Sequence, residues 1–568
     1  MPQNIVVIGA VALGPKAACR FKRLCPEDNV IMLDQSDRIS YGGCGIPYYV
    51  SGEVNNLEEL QMTPYHTIRD ADFFRVNKDV KVLSRTKAES IDRQNKKVRI
   101  KNLITGETSE LPYDKLVLAM GSSPNRPPIE GLDLEGVHTC TTLEDAKAIR
   151  EAVAGGSVNG AVVVGGGFIG LEVAVSMADM WGIKTSVVEI ADQVLPGFLG
   201  KTMVKIATND LIKNDVDVFT NEKVVRIEGE NGKVARIVTD KRTIEAELVV
   251  MAAGIRPNSE LARDAGLDVN ERGAIVVNDR MQTSDPDIYA GGDCVTVPNL
   301  VTGKPGFYPL GSMANRQGRV IGTNLAGGDA RFPGGVGTWC VKLFEQNAAG
   351  AGLTLEAALR EGFDAVNVHV EGFDRAHFYP EHTVMALDLV VERPTRRVLG
   401  IQGTSGLGDA LVARINAVAP LLQSKPVLED ISNLEVAYSP PFASAMDIVN
   451  TVANVADNVL AGRNHALDPE EFAVLWANRN SGEYTFVDTR IAANAQALVE
   501  KYPGQWNCVP LEEMEQRINE IPSDKTVVLI CNTGLRSYES QLIMNRHGRK
   551  SLSVQGGMAS VLKQGGEV

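Results

Sequence analysis

The sequence predicts an α/β protein of three or four domains, and three observations carry that prediction. At 568 residues the chain is too long for a single core. An apolar strand that turns through glycines into a helix occurs twice, at residues 5–14 and 161–170. A third alternation of strands and helices begins near residue 467, after a break in the pattern. The composition, 44% hydrophobic and 23% charged, is that of an ordinary globular chain. A formal net charge of −14 sets the surface against nucleic acid and anionic membranes, so a phosphate-bearing ligand has to be held locally. Met1 leads straight into the apolar run Ile5 to Ile8 without a basic leader, and no apolar run reaches membrane-spanning length, so a cytoplasmic protein is expected. The eight cysteines, at 19, 25, 44, 140, 294, 340, 508 and 531, lack paired spacing, which points to reduced thiols and to neither a disulfide framework nor a metal site.

The first strand, turn and helix read Ile5-Val6-Val7-Ile8-Gly9-Ala10-Val11-Ala12-Leu13-Gly14, and the next strand, Val30 to Leu33, ends at Asp34. This is the opening of a dinucleotide-binding Rossmann unit. Its glycines let backbone approach a pyrophosphate at a helix N-terminus, and its acid accepts hydrogen bonds from a ribose. Val11 occupies the middle glycine position, where a side chain predicts a widened turn. The second unit is cleaner: Ala161 to Val164 leads into Gly165-Gly166-Gly167-Phe168-Ile169-Gly170, and Thr185 to Val188 ends at Glu189. A glutamate there bonds both ribose hydroxyls and repels a 2′-phosphate, so NADH is expected over NADPH. Two further apolar strands, closed by Gly121 and Gly254, suit crossings between domains.

Cys44 lies in Ser40-Tyr41-Gly42-Gly43-Cys44-Gly45-Ile46-Pro47-Tyr48-Tyr49, with no second cysteine near it in the chain. Pro47 can open a helix whose N-terminus favours a thiolate, and the flanking glycines leave room for a flat ring or a substrate sulfur. A one-thiol redox site is expected.

The run Thr283-Ser284-Asp285-Pro286-Asp287-Ile288-Tyr289-Ala290-Gly291-Gly292-Asp293-Cys294 resembles the second flavin-contacting segment of the two-dinucleotide-binding disulfide reductases. The resemblance implies FAD at the first unit, through Gly9, Ala10, Val11, Ala12, Gly14, Asp34, Gly121, Asp293 and Ala314. It implies NADH at the second, through Gly165, Gly167, Phe168, Ile169, Gly170, Glu189 and Gly254. The chain lacks the CxxxxC pair and the His-Pro acid of glutathione-reductase-like members. NADH peroxidases and oxidases also use one cysteine, but Ala12 stands where their glycine turn carries a histidine.

From residue 1 to about 450 the chain is similar to coenzyme A disulfide reductases, which share Ala-Val-Ala after the first glycine, the pair Lys22-Arg23, and Ser40. Tyr379 in Phe378-Tyr379-Pro380 and Tyr438 in Ala437-Tyr438-Ser439-Pro440-Pro441 match tyrosines that in that family reach across a symmetric homodimer toward the sulfur. The resemblance implies coenzyme A contacts at Lys22, Arg23, Ser40, Gly43, Tyr379 and Tyr438, with the phenols protonating a leaving thiolate. Gly43 replaces an asparagine common in that family, which opens the site to a different or bulkier sulfur species.

After Ala443 the character changes. Met446 to Leu460 has the pattern of an amphipathic helix, Gly462 to His465 breaks it, and the strand Thr526 to Ile530 delivers Cys531-Asn532-Thr533-Gly534-Leu535-Arg536-Ser537. That loop resembles the rhodanese loop. With four residues between Cys531 and Arg536 it is one shorter than in related phosphatases, a size suited to sulfur. Its backbone N–H groups and Arg536 are expected to stabilise a persulfide and lower the thiol pKa.

The expected partition is an FAD-binding domain in two parts (1–112 and 255–328), an NADH-binding domain (113–254), an α+β dimerisation domain (329–447), a linker helix (448–466) and an α/β rhodanese domain (467–568). The expected function is NADH-dependent reduction of small-molecule coenzyme A persulfide, polysulfide or coenzyme A disulfide, using FAD and Cys44 and coupled to sulfur transfer at Cys531. One rival is an NADH oxidase or peroxidase that cycles Cys44 through sulfenic acid. The other is a redox sensor whose rhodanese domain only docks partners.

Overall fold

The computed structural model describes residues 2–566. The chain forms two compact units, Met1–Asp192 with Asp215–Gly335, and Gln193–Asn214 with Val336–Val568.

The first unit contains one architecture twice. Asn4–Ile8 lies between Asn29–Leu33 and Lys115–Leu118, with Lys81–Leu83 and Ile288–Ala290 at the edges, all parallel. Gly160–Val164 lies between Lys184–Val188 and Leu248–Met251, with Val216–Phe219 and Val137–His138 at the edges, again all parallel. The central strands are continuous apolar runs because both faces are covered: Ile5, Val6, Val7, Val162 and Val163 are at most 1% exposed. Three-stranded antiparallel meanders accompany the sheets, at Thr86–Asp92, Lys97–Asn102 and Thr108–Pro112, and again at Val224–Glu230, Lys233–Thr239 and Thr243–Glu245. Just after Gly121 and Gly254, Ser122–Pro124 and Ile255–Pro257 pair antiparallel, so the two crossings form one ribbon.

The second unit holds an antiparallel sheet in the order Trp339–Lys342, Asn347–Gly352, Val398–Ser405, Val384–Glu392, Ala365–Phe373. Helix Ile448–Leu460 is capped by Asp447 and buries Ile448, Val449, Val452, Ala453 and Ala456 against the last two strands. The segment that the sequence reads as a linker therefore serves as core. Helix Lys201–Lys213 belongs to this unit too, since the Gly200 N–H donates to Gln402 Oε1 at 2.8 Å. A parallel sheet follows, in the order Ala466–Leu467, Ser551–Val554, Thr526–Ile530, Tyr484–Asp488, Trp506–Cys508. Its core is an edge-to-face group in which Trp476 packs on Phe486 and Trp506, with ring centroids 5.0 and 5.1 Å apart. Among the described residues no helix is long and apolar enough to cross a membrane.

Candidate active sites

The two glycine turns superpose in their chemistry. Gly9 (φ +107°) and Gly165 (φ +113°) adopt backbone that L side chains rarely reach, and a Cβ on either would lie 2.1 or 2.3 Å from the carbonyl oxygen of Ala119 or Ala252. A Cβ at Gly14 or Gly170 would strike the carbonyl of that same first glycine at 1.9 or 2.0 Å. The acids close their turns alike. Asp34 Oδ2 accepts the Ala10 N–H at 2.8 Å, and Glu189 Oε2 accepts the Gly166 N–H at 2.6 Å. A carboxylate has about four acceptor positions, so each keeps some for a ribose. The turns differ at one place: the first helix begins at Leu13, while the second begins at Phe168, one position earlier in register. A Cβ at Gly167 would meet nothing within 4 Å, so that space is open to a ligand, whereas position 11 carries an isopropyl group.

Asp293 accepts a hydrogen bond from Ser122 Oγ at 3.1 Å, and burial raises its carboxyl pKa. The glycine before it packs toward Ala314, on helix Gly311–Leu325.

Cys44 occupies a 3-10 turn, Gly43–Gly45, that runs directly into helix Ile46–Ser51 with Pro47 in its first turn. The residue is open to solvent on one side. A second helix start, which the sequence reading missed, reaches the same sulfur: a Cβ on Gly311 would lie 3.8 Å from Cys44 Sγ, and the Gly311 N–H bonds to it. The N–H groups at the two helix starts lower the Cys44 pKa, as the sequence implies, but burial outweighs them and the net shift is upward. Surrounding protein desolvates the thiol, Glu172 and Asp293 add negative potential, and together they raise its pKa against the Gly311 and Cys44 N–H groups.

Glu172 is the other residue that the sequence reading passed over. It stands on helix Phe168–Trp181, which lies along the Cys44 helix: Tyr48 Oη donates to Glu172 Oε1 at 3.4 Å, Ser176 Oγ to the Pro47 carbonyl at 3.1 Å, and Trp181 Nε1 to the Val50 carbonyl at 2.8 Å. Burial pushes the Glu172 carboxyl up to about 7, against the Tyr48 hydrogen bond. The one acid within the apolar stretch Phe168 to Met177 was its signal in the sequence. Replacing Glu172 with Gln removes a charge that opposes thiolate formation. Alkylation of Cys44 by iodoacetamide at pH 8 is then expected to quicken a few-fold, with its pH profile displaced to lower pH. An unchanged profile would show that Glu172 does not face the thiol electrostatically.

The residues carried over for coenzyme A are placed unequally. Lys22 Nζ is tied to the carbonyls of Pro26 and Asp28, at 2.7 and 2.6 Å, and to Asp79 at 2.6 Å, so it closes its own helix end and leaves Arg23 as the exposed cation. Ser40 is buried with φ +52°, its N–H held by the Ala10 carbonyl, while Gly43 is exposed. Tyr379 is half-buried and Tyr438 is exposed, in separate loops of the second unit. Arg414, 5% exposed, staples those loops: Nη2 donates to the carbonyls of Asp374 and Phe442 at 2.7 and 3.1 Å and pairs with Asp447 at 2.6 Å.

Cys531 is buried, and the Gly534 N–H donates to its sulfur at 3.1 Å. Met558 and Ala559 donate their N–H groups to the carbonyls of Cys531 and Asn532, at 2.8 and 2.9 Å. Across a trans peptide the next N–H points the opposite way, so this contact turns the Asn532 and Thr533 amides away from the 558–559 turn. Arg536 forms an ion pair with Glu512 at 2.9 Å, a partner for which the loop motif gives no hint.

The pyridine nucleotide-disulphide oxidoreductase family matches residues 3–308, more than half of the chain. The chain belongs to this family. The family's dimerisation domain matches residues 340–449 and a rhodanese-like domain matches residues 471–564. The "NAD(P)H sulfur oxidoreductase (CoA-dependent)" of Pyrococcus abyssi is 36% identical over 453 residues, covering 80% of this chain and 98% of that protein. The NAD-dependent persulfide reductase of A. fulgidus is 38% identical with a TM-score of 0.91, covering 98% of this chain and 99% of that one. Reduced CoADR-RHD of Bacillus anthracis is 29% identical with a TM-score of 0.90, covering 99% and 98%. The family uses FAD and NAD(P)H. The paired cradles fit two dinucleotides, because at Gly9, Gly14, Gly165 and Gly170 any side chain would collide with the turn that has to receive the pyrophosphate.

Proposed function

We propose that this chain is an FAD-dependent NADH reductase of coenzyme A persulfide, polysulfide or coenzyme A disulfide, with sulfur transfer at Cys531 coupled to reduction at Cys44. One observation carries the reading. Cys44 is a free thiol with no disulfide partner, so the second sulfur that it needs has to come from a ligand, and the same chain carries a sulfur loop in a rhodanese-like domain. The names borne by the Pyrococcus and A. fulgidus relatives support coenzyme A and persulfide as the chemistry.

FAD, which Gly9, Gly14, Asp34, Asp293 and Ala314 would hold, would supply hydride chemistry from NADH and an electron pair for sulfur. The protein's own part is to hold and protonate sulfur. The Cys44 thiolate attacks the sulfur–sulfur bond of the substrate; one sulfur leaves as a thiolate or hydrosulfide, and the other stays bonded to Cys44 until the electron pair originating in NADH cleaves that new bond, releasing it and restoring the thiolate. Tyr379 and Tyr438, brought across a homodimer, donate the proton. For a persulfide the sum is RSSH + NADH + H⁺ → RSH + H₂S + NAD⁺. Arg23, Ser40 and Gly43 are the proposed coenzyme A contacts on the Cys44 side, with Lys22 left to its structural role. We place FAD on residues 1–112 and 255–328, NADH on 113–254, and the dimer contact in 329–447, in a cytoplasmic enzyme.

The test is NADH oxidation by the holoenzyme with coenzyme A persulfide, coenzyme A disulfide or polysulfide under argon, beside oxygen and hydrogen peroxide. Sulfur substrates are expected to turn over at least about tenfold faster, the difference that 1.4 kcal/mol of transition-state stabilisation makes. Faster oxygen or peroxide turnover would instead assign the oxidase or peroxidase reaction. No turnover at all would leave a sensor.

A further inference from the structure

The second unit buries a charge cluster that none of this chemistry uses. His369 sits on strand Ala365–Phe373, 1% exposed, with Nδ1 2.8 Å from Asp388 Oδ1 and Nε2 3.7 Å from Glu371 Oε1. Lys563, from the last helix, donates to Glu371 Oε2 at 2.7 Å and to the Val384 carbonyl at 3.0 Å. His369 Nε2 and Glu371 Oε1 face each other without a hydrogen bond to any partner. Two buried carboxylates cost several kcal/mol unless they are balanced, and here the imidazolium and the ammonium balance them. Burial opposes the imidazolium, but Asp388 and Glu371 overcome it and raise His369 to about 9.

From the imidazole a short path of backbone runs to the sulfur loop. The main-chain N–H of His369 donates to Gln555 Oε1 at 2.9 Å, and Gln555 Nε2 donates to Asp468 Oδ1 at 2.6 Å. Gly556 (φ +66°) lies against the ring, since a Cβ there would be 2.7 Å from His369 Nε2. Gly557 (φ +56°) lies against the other end, where a Cβ would be 2.4 Å from the Cys531 carbonyl oxygen. Met558 and Ala559 then bind the Cys531 and Asn532 carbonyls. Two consecutive glycines with positive φ allow backbone to fit between an aromatic ring and a peptide with no side chain in the way.

We propose that His369 is a positioning residue for the Cys531 loop, held by Asp388, Glu371 and Lys563 and acting through Gln555 and the Gly556-Gly557 turn. This rests on Cys531 being the sulfur carrier. The charged groups facing the imidazole are Asp388 and Glu371 from the sheet and Lys563 from the last helix. Asp468 and Glu471 add their potential to the same region from the start of the rhodanese-like domain. A histidine raised in the fold contributes stability that is complete below about 6.5 and is lost as the pH rises through about 9. Deprotonation leaves Asp388 and Glu371 facing one cation, and the turn loosens.

The experiment follows amide exchange at Met558 and Ala559 in the full-length holoenzyme, corrected for intrinsic base catalysis and referenced to strand Gly160–Val164. Protection is expected to fall about tenfold between pH 8 and pH 10, as a local opening whose cost drops by about 1.4 kcal/mol does. His369→Gln leaves two buried carboxylates facing one cation and can fail to fold, so Gln555→Ala is the second variant: it cuts the path and leaves His369, Asp388, Glu371 and Lys563 in place. Gln555→Ala is expected to lose the protection already at pH 7 and to slow sulfur transfer from Cys531 to cyanide about tenfold, with NADH reduction of the flavin unchanged. Cys531→Ser separates the two claims, since it should abolish transfer and keep the protection. Full protection and full transfer in Gln555→Ala, or no step near pH 9 in the wild type, overturns the positioning role. Transfer that survives Cys531→Ser overturns the carrier reading alone.

Discussion

Replacing Cys44 with serine is expected to abolish reduction of every sulfur substrate, by on the order of 10³-fold or more, while NADH still bleaches the flavin at the wild-type rate. The split follows from the geometry. Serine keeps the turn Gly43–Gly45 and the Gly311 N–H donor, so nothing at the twin glycine turns changes. What is lost is the nucleophile, because an alcohol does not ionise in the range where a thiol does, even a thiol whose pKa burial has raised. Stopped-flow absorbance measures the flavin step, and anaerobic release of hydrosulfide measures the other. Persulfide turnover that persists in the serine variant would remove Cys44 from the chemistry altogether.

The second large effect is expected at Arg414. Arg414→Met leaves Asp447 buried without its cation and strips two donors from the carbonyls of Asp374 and Phe442. Breaking a buried pair from one side costs about 3–5 kcal/mol, visible as a lower urea midpoint with the slope preserved. The double variant Arg414→Met/Asp447→Leu removes the stranded charge and is expected to regain most of that loss. It restores no tether between the loops of Tyr379 and Tyr438, so persulfide turnover should stay depressed while stability returns. Activity that recovers in step with stability would reduce Arg414 to a packing role.

What the sequence revealed, and what it hid, divides along the range of the interaction. The turns at Gly9 and Gly165 were legible because their signal is local: a strand, a positive-φ glycine and an acid one strand later. Cys531 was legible for the same reason. The meanders at residues 86–112 and 224–245 were passed over, since their strands alternate weakly and Lys97–Asn102 reads as largely polar. Arg414 and Asp447 are 33 residues apart and Arg536 and Glu512 are 24 apart, and neither pairing has a spacing rule to announce it. The helix Ile448–Leu460 was seen as a helix but not as core, because amphipathicity says that a face is buried and not against what.

Helix Phe168–Trp181 starts at the turn made for one dinucleotide, meets Tyr48 one turn later through Glu172, and ends with Trp181 bonded to the helix that follows Cys44. At 1.5 Å per residue its 14 residues form a strut of about 21 Å. Under the proposed placement of NADH, nucleotide and sulfur share a single mechanical member, and a displacement at its glycine end reaches the thiol without an intervening loop. Binding of the electron donor and readiness of the sulfur would then be timed by one rigid body.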